Sequence, residues 1–157
     1  MDDDRRRVNV VNTLSRLLEY GTIPIINEND TVAIEEIEFG DNDTLSAMVA
    51  ELIGAQALVL LTDIDGLYDA DPHTHPEAKR LPVVHKIDEN LMALAGGAGS
   101  KRGTGGMITK LNAAQIAVDA GIPTVIMNGA QPYRLYDLFD GRPRGTLFLP
   151  SKEAADD

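Results

Sequence analysis

The segment from Ser100 to Lys110, SKRGTGGMITK, has the composition of a phosphate-binding turn that leads into a helix. The glycines within Gly103–Gly106 allow backbone N–H groups to converge, and a helix that begins after them adds unpaired donors and partial positive charge. Lys110, one turn into that helix, could extend toward a transferring phosphoryl group. The segment does not fit the pattern G-x-x-x-x-G-K-[ST]. It does not fit G-x-G-x-x-G either, because Ile108 stands where that pattern has its last glycine. From these residues alone, a flexible linker followed by a solvated Lys110 is an equal alternative.

Asn42 and Asp43 form a second candidate site, immediately before an apolar segment with helical spacing. The Asn42 amide could hold a carboxylate or an amino group. Asp43 is a natural N-cap for the helix that follows, and capping is the more common role of such an aspartate. Its functional alternative is to orient a lysine ammonium beside a reacting phosphate, a positioning role that phosphoryl transfer requires.

The elements that would position these residues alternate between helical and strand-like patterns. Apolar spacing predicts helices over 8–20, 44–53, 87–94, 107–120 and 133–139, and strands over 22–27, 57–61, 123–127 and 145–149. Gly21, Gly54 and Gly121 are placed to end three of the helices. Strands that alternate with helices predict an α/β fold with a mostly parallel sheet, in a chain of 157 residues that is the size of one domain.

Polar residues follow three of the predicted strands. The first strand leads into Asn27–Asp30, the central one into Thr62 and Asp63, and the next into Asn128 and Gly129. Ligands of open α/β sheets bind beyond the carboxyl ends of the strands, so these ends predict a binding site along one sheet edge. Ordinary turn chemistry is the alternative at each position taken singly, because Asn, Asp and Gly are also turn residues.

Composition excludes several classes of function. The chain has no cysteine, which rules out disulfides and thiol catalysis, and its formal net charge of -11 argues against broad nucleic-acid binding. No segment approaches the roughly 20 apolar residues that a membrane span requires. We therefore expect a soluble, cytoplasmic protein that binds neither nucleic acid nor membrane.

Two clusters that superficially look like metal sites are weak candidates. His73 and His75 lie between prolines without an evident third ligand. Four aspartates miss the spacing of a calcium-binding loop: Asp63, Asp65, Asp69 and Asp71. We predict no metal site made of these side chains.

Five segments together resemble the glutamate 5-kinases of the amino acid kinase family. They are Ile23–Asp30 (IPIINEND), Gly40–Asp43 (GDND), Leu61–Tyr68 (LTDIDGLY), Gly103–Lys110 (GTGGMITK) and Gly145–Phe148 (GTLF). The resemblance implies a partial amino acid kinase domain over 8–150, with polar tails at 1–7 and 151–157. The fold it implies is a three-layer α/β/α arrangement with a mostly parallel sheet, incomplete at the N-terminus.

The resemblance also implies roles for individual residues. Asp30 and Asn42 match positions that hold glutamate, and Asp43 matches an aspartate that organises catalytic lysines. Lys110 would stabilise charge on the transferred phosphoryl group. The implied ATP-binding residues are Thr62, Asp63, Thr104, Gly105, Gly106, Met107, Ile108, Thr109 and Lys110.

The activity implied by the resemblance is ATP-dependent phosphorylation of the γ-carboxylate of L-glutamate. ATP and Mg²⁺ would be the cofactors, and the product, glutamyl 5-phosphate, would enter proline synthesis. Proline commonly inhibits members of the family. A homo-oligomer, or dependence on a separate N-terminal half, is the expected assembly.

The sequence departs from the family pattern in ways that leave other interpretations open. The family's first strand with its catalytic lysine, its glycine-rich phosphate loop and a substrate-binding serine have no counterpart before Val8, and the C-terminal PUA domain has none either. Ile108 also replaces a residue that is often small and polar. We expect the isolated chain to be weakly stable, aggregated or dependent on a partner. An inactive fragment that binds nucleotide, glutamate or proline is one alternative, and a kinase for aspartate, N-acetylglutamate or a nucleoside monophosphate is another.

Overall fold

The computed structural model describes residues 2–27, 42–72, 74–95, 106–142 and 144–150. The α-helices formed by these residues are α1 (Asp2–Glu19), α2 (Asn42–Ile53), α3 (Glu89–Ala95), α4 (Met107–Asp119) and α5 (Leu135–Phe139), with a 3₁₀-helix at Pro132–Arg134. The strands are β1 (Leu58–Thr62), β2 (Val83–Val84), β3 (Thr124–Asn128) and β4 (Thr146–Phe148). The predicted helices are all present, although α1 begins at Asp2 instead of Val8.

Three helices end at the glycines that the sequence marks as stops. Gly21, Gly54 and Gly121 have φ angles of 70°, 60° and 78°, a region that glycine enters at the lowest cost. At each stop the next backbone N–H bonds to a carbonyl five residues earlier, at 2.8 to 3.0 Å, as in a Schellman motif. This turn chemistry fixes where α1, α2 and α4 end.

The strands form one mixed sheet in the order β1-β3-β4-β2. β1 pairs in parallel with β3, from Leu58 opposite Thr124 to Thr62 opposite Asn128. β4 pairs antiparallel with β3 and parallel with β2, so two of the three pairings are parallel and the predicted α/β sheet is confirmed. We call the side of the sheet where β1 and β3 end and β4 begins the carboxyl edge.

The core lies where α2 and α4 pack on each other and on the sheet, α2 against β1 and α4 against β3. Small side chains dominate the buried surfaces of the two helices: Ala47, Ala50, Ala113, Ala114 and Ala117. They allow close approach of the helices, while Leu111, Ile126 and Phe148 fill the space toward the sheet. Each helix returns the chain to the start of a parallel strand, which places the N-termini of α2 and α4 toward the carboxyl edge.

The prediction of a buried strand over 22–27 is wrong. This segment has no regular secondary structure, and Ile23 and Ile25 are 86% and 95% exposed. An apolar segment becomes a stable strand only where a neighbour completes its hydrogen bonds and another layer covers its side chains. Among the described strands, none lies beside it. Two of the three predicted strand ends therefore meet at the carboxyl edge, and residues 28–30, which follow the third, lie outside the described residues.

The connection between β1 and β2, residues 63–82, which we call the excursion, is anchored at its base by β4. Tyr68 and Arg80 form an isolated antiparallel bridge across it. The buried Thr146 hydroxyl accepts a hydrogen bond from the Leu67 N–H at 2.8 Å and donates one to the Leu81 carbonyl at 2.7 Å. Both limbs of the excursion are thus attached to the first residue of β4.

In the parts of the chain that the structure describes, no helix combines the length and the apolar character needed to cross a membrane.

Candidate active site

An ion pair joins the first turns of α2 and α4. Lys110 Nζ donates to Asp43 Oδ2 at 3.0 Å, and the Thr109 hydroxyl donates to the same oxygen at 2.9 Å. The Lys110 and Asp43 side chains are only 11% and 20% exposed. Removing one partner of a well-buried pair typically costs about 3–5 kcal/mol, because the remaining charge is left without compensation. The pair therefore holds both side chains in one arrangement.

Asp43 does not act as the N-cap that the local pattern suggests. α2 begins at Asn42, before the predicted start at residue 44, and Asp43 therefore lies within its first turn. From there the Asp43 carboxylate reaches Thr109 and Lys110 of α4. This is the geometry of the alternative interpretation, in which the aspartate orients a lysine ammonium. The interpretation of Lys110 as a solvated side chain is also wrong, since the residue is 9% exposed.

The N-terminus of α4 has features that suit an anion. Gly106 is its N-cap and makes no side-chain capping bond, and its first turn carries no acidic residue. The first backbone N–H groups of a helix have no partner within the helix and lie at its positive end. With Lys110 in the same turn, this terminus can bind a phosphate group.

Two predicted residues at the end of β1 are linked to the end of β3. The Asn128 side-chain amide donates to the Asp63 carbonyl at 3.1 Å, and the Gly129 N–H donates to the Thr62 carbonyl at 2.8 Å. The Thr62 hydroxyl donates to the Asp63 carboxylate at 3.0 Å. These bonds fix the two strand ends as one platform, with the Asp63 side chain facing solvent.

Apart from Asp43, Thr62 and Asp63, the predicted site residues fall into three groups. Asn42 lies exposed at the start of α2, beside Asp43. Five of the predicted ATP-binding residues open α4, where Met107 is half-buried and Ile108 is exposed: Gly106, Met107, Ile108, Thr109 and Lys110. Asp30, Thr104 and Gly105 lie outside the described residues.

Thr109 and Asn128 acquire specific contacts that the sequence does not reveal. Thr109 shares the Asp43 carboxylate with Lys110 across 66 positions of the chain, and Asn128 bonds to Asp63 across 65. The sequence gives only one indication of these two residues, which is their position: Thr109 directly precedes Lys110, and Asn128 follows a predicted strand.

A Mg²⁺ ion would find few protein ligands among the described residues. They contain no group of three or more His, Cys, Asp or Glu side chains that could hold a metal ion. Asp63 offers an exposed carboxylate, whereas the Asp43 carboxylate already bonds to Thr109 and Lys110. Mg²⁺ commonly uses one or two carboxylates together with substrate phosphates and water, and these residues fit that mode better than a closed protein cage.

Glutamate 5-kinases are similar to nearly the whole chain. That of Geobacter sulfurreducens is 54% identical over 149 residues, which cover 95% of this chain and 40% of the relative. That of Deinococcus radiodurans is 55% identical over 151 residues, covering 94% and 42%. That of Clostridium acetobutylicum is 51% identical over 153 residues, covering 98% and 57%. The chain thus spans 40 to 57% of the length of these curated relatives.

Solved structures of two kinases share the fold. UMP kinase from Bacillus anthracis superposes with a TM-score of 0.62 at 19% identity, over 92% of this chain and 51% of that one. Isopentenyl phosphate kinase from T. acidophilum gives a TM-score of 0.57 at 24% identity, over 87% and 52%. At these identities the likeness shows the fold alone. Residues 1–128 match the amino acid kinase family, and the chain therefore belongs to that family.

Proposed function

We propose that the chain is most of the glutamate- and ATP-handling part of a glutamate 5-kinase. The reaction would transfer the γ-phosphoryl group of ATP to the γ-carboxylate of L-glutamate, giving ADP and glutamyl 5-phosphate, the first step of proline synthesis. Three relatives that carry this name are 51 to 55% identical to the chain. The structural observation that carries the proposal is the Asp43–Lys110 ion pair, because it joins the predicted glutamate segment to the predicted ATP loop.

The proposed chemistry depends on positioning and charge. A glutamate carboxylate oxygen forms the new bond to the γ-phosphorus while the bond from that phosphorus to the oxygen of ADP breaks. Negative charge on the phosphoryl oxygens would be stabilised by the Lys110 ammonium and the N-terminus of α4. Asp43 would hold that ammonium in place before the substrates arrive, so that little reorganisation is needed during the reaction. Mg²⁺, when bound to the ATP phosphates, would neutralise part of their charge.

The remaining assignments complete the proposed site. Asp30 and Asn42 would hold glutamate, and Thr62 and Asp63 would contact the nucleotide. Proline would inhibit near the glutamate site. The chain would act as a homo-oligomer or together with a separate N-terminal half.

A hydroxamate assay with glutamate, ATP and Mg²⁺ tests the activity. We expect product with glutamate and much less with aspartate, N-acetylglutamate or UMP as acceptor. Lys110→Met should lower kcat by roughly a hundredfold or more, with a much smaller effect on the glutamate KM. Lys86→Met, which changes an exposed lysine outside the site, is the matched control and should keep the wild-type rate.

Binding measurements separate the alternatives. Calorimetry with a non-hydrolysable ATP analogue, and separately with glutamate, reports each subsite without turnover. Binding of both ligands without hydroxamate would identify an inactive binding fragment. A chain that is folded by circular dichroism and binds neither ligand would contradict the proposal.

A further inference from the structure

A basic pocket lies at the carboxyl edge, beyond the end of β3 and the start of β4. It has a volume of about 130 Å³ and is lined by Arg80, Arg134 and Arg144, together with Asp65 and Asn128. Arg80 lies in the excursion, Arg134 ends the 3₁₀-helix, and Arg144 immediately precedes Gly145. None of the three arginines belongs to the site proposed for phosphoryl transfer, although Asn128, which also lines this pocket, bonds to Asp63. We call this pocket the arginine pocket.

The charge of the arginine pocket is opposite to that of the chain. Three arginines and one aspartate, Asp65, line the pocket, and Arg144 is also paired with Asp137, which leaves one positive charge in excess. The whole chain has 14 basic and 25 acidic residues, and a net charge of -11. Like charges on one small surface repel each other, and an anion bound between them offsets that repulsion. The local composition therefore favours an anionic ligand.

Neutralisation of a neighbouring carboxylate does not account for all three arginines. Asp137 is the nearby acid, and its two oxygens are bound by Arg142 and Arg144 at 2.7 Å each. The Arg144 hydrogen bond and the charges of Arg142 and Arg144 lower the pKa of Asp137 below its ordinary value, against a smaller opposing effect of burial. Two arginines thus already satisfy this carboxylate, and Arg134 adds only a longer-range attraction.

Arg134 and Arg80 have donors to offer to a ligand. Within the described residues, the half-buried Arg134 guanidinium makes no hydrogen bond or ion pair. Arg80 donates from Nη1 to the Asp65 carbonyl at 3.5 Å, a long contact. Guanidinium groups present several N–H donors in a plane and match the oxygens of phosphate particularly well.

The walls of the arginine pocket are held in place before any ligand binds. Asn128 is fixed by its bonds to the Asp63 carbonyl at 3.1 Å and from the Ala130 N–H at 2.8 Å. Arg144 is fixed by Asp137. The excursion that carries Arg80 is tied to Thr146. A ligand would need to order chiefly the Arg80 and Arg134 side chains, which limits the entropic cost of binding.

We infer that the arginine pocket is a second anion site, which binds one phosphate group, free or as a phosphate monoester, through Arg80, Arg134 and Arg144. The inference does not rest on the proposed glutamate kinase activity, because binding here requires neither Lys110 nor phosphoryl transfer.

Calorimetric titration of the chain with inorganic phosphate at low ionic strength tests the site. Loss of one charged hydrogen-bonding group should weaken binding by roughly tenfold, so we expect that effect for Arg134→Gln and for Arg80→Gln. Lys110→Met should remove at most the phosphate binding to which the N-terminus of α4 contributes, and should leave the binding that depends on Arg80 and Arg134. Arg16→Gln is the matched control, since Arg16 lies exposed on α1 and pairs with Glu19.

The outcomes separate this site from the N-terminus of α4. Phosphate binding that neither Arg134→Gln nor Arg80→Gln weakens, or that Lys110→Met abolishes entirely, overturns the inference. Circular dichroism of each variant confirms that a loss of binding is not a loss of folding, and Arg134→Lys should retain part of the affinity. Glycerol 3-phosphate in place of phosphate distinguishes the source of the ligand. Tighter binding of the ester would indicate a phosphate monoester, and tighter binding of phosphate would indicate the free ion.

Discussion

Asp43 and Lys110 lie 67 positions apart and yet share a contact of 3.0 Å with limited exposure to water. We expect Asp43→Asn and Lys110→Met each to lower the free energy of unfolding by about 2 kcal/mol, less than for a fully buried pair because some solvent reaches both groups. The double variant should lose about 1 kcal/mol less than the sum of the two single losses. Urea denaturation of the four proteins measures this coupling. Strictly additive losses would show that the pair contributes nothing to stability.

The lowered pKa of Asp137 predicts that the stability of the fold depends on pH. Since Arg144 and Arg142 lower the pKa of this carboxyl in the folded chain, the folded state takes up a proton less readily than the unfolded state. The resulting stabilisation is complete above the unfolded pKa of about 3.9 and is lost as the pH falls through the lower folded pKa. The difference in unfolding free energy between the wild type and Asp137→Asn should therefore be constant near neutral pH and shrink below about pH 4. Denaturation in urea across this range measures it, and a difference that grows on acidification would contradict the assignment.

Single residues show where sequence reasoning succeeds and where it stops. The sequence identifies Asp43 and Lys110 as candidates because their residue types and local positions suit a phosphoryl-transfer site. It cannot show that they touch, since that contact depends on how α2 packs on α4. The arginine pocket is not predicted for the same reason: Arg80, Arg134 and Arg144 come from separate segments and share no local pattern.

At the level of elements, Gly106 at the start of α4 allows a test of whether a glycine is needed for the fold or for binding a ligand. Gly106 has an ordinary extended conformation, with φ of -75°, and a Cβ added to it would meet no described atom within 4 Å. Gly106→Ala should therefore cost the fold at most about 0.5 kcal/mol, the lower end of the range for a poorer cap. If the backbone here approaches a phosphate closely, the same change should weaken ATP binding by roughly tenfold.

Thermal unfolding and calorimetry with an ATP analogue, performed on the same Gly106→Ala preparation, measure the two effects. Unchanged affinity would show that no phosphate lies against this residue. Gly129→Ala is an instructive comparison, because its Cβ would lie 3.1 Å from the Leu61 Cβ and should disturb the fold as well.

Predictability differs among the elements for physical reasons. The helices over α1, α2 and α4 follow from apolar spacing and glycine stops, which are local properties, and β1 and β3 follow from continuous apolar runs. The segment 22–27 is just as apolar, but no described strand pairs with it. The composition of a segment does not show whether a neighbouring strand is present. The place of β4 between β3 and β2 is likewise set by pairing and not by its own residues.

At the scale of the whole molecule, exposed apolar surface predicts self-association. Ile23 and Ile25 are almost fully exposed, Leu61 is 45% exposed, and among the described strands β1 has a neighbour on one side only. Exposed edges and apolar side chains promote pairing with other chains. We expect the isolated chain to form dimers or larger species at micromolar concentration, as measured by size-exclusion chromatography with light scattering.

A pair of charge-matched variants tests the origin of that association. Ile25→Lys should shift the chain toward the monomer. Phe139→Lys changes another exposed side chain, on α5, by the same substitution, and should have less effect because it lies outside β1 and the segment 22–27. Equal effects of the two variants would assign the association to general hydrophobicity.

The position of β4 also determines the order of events during synthesis. β2 has β4 as its partner in the sheet, and the excursion that carries Arg80 is attached through Leu67 and Leu81 to Thr146. The ribosome delivers β2, Leu67 and Leu81 before β4 emerges, so β2 and the excursion are attached to the sheet only after β4 has been made. A nascent chain halted before residue 146 would carry the excursion without its attachment, and we expect proteases to cut it there.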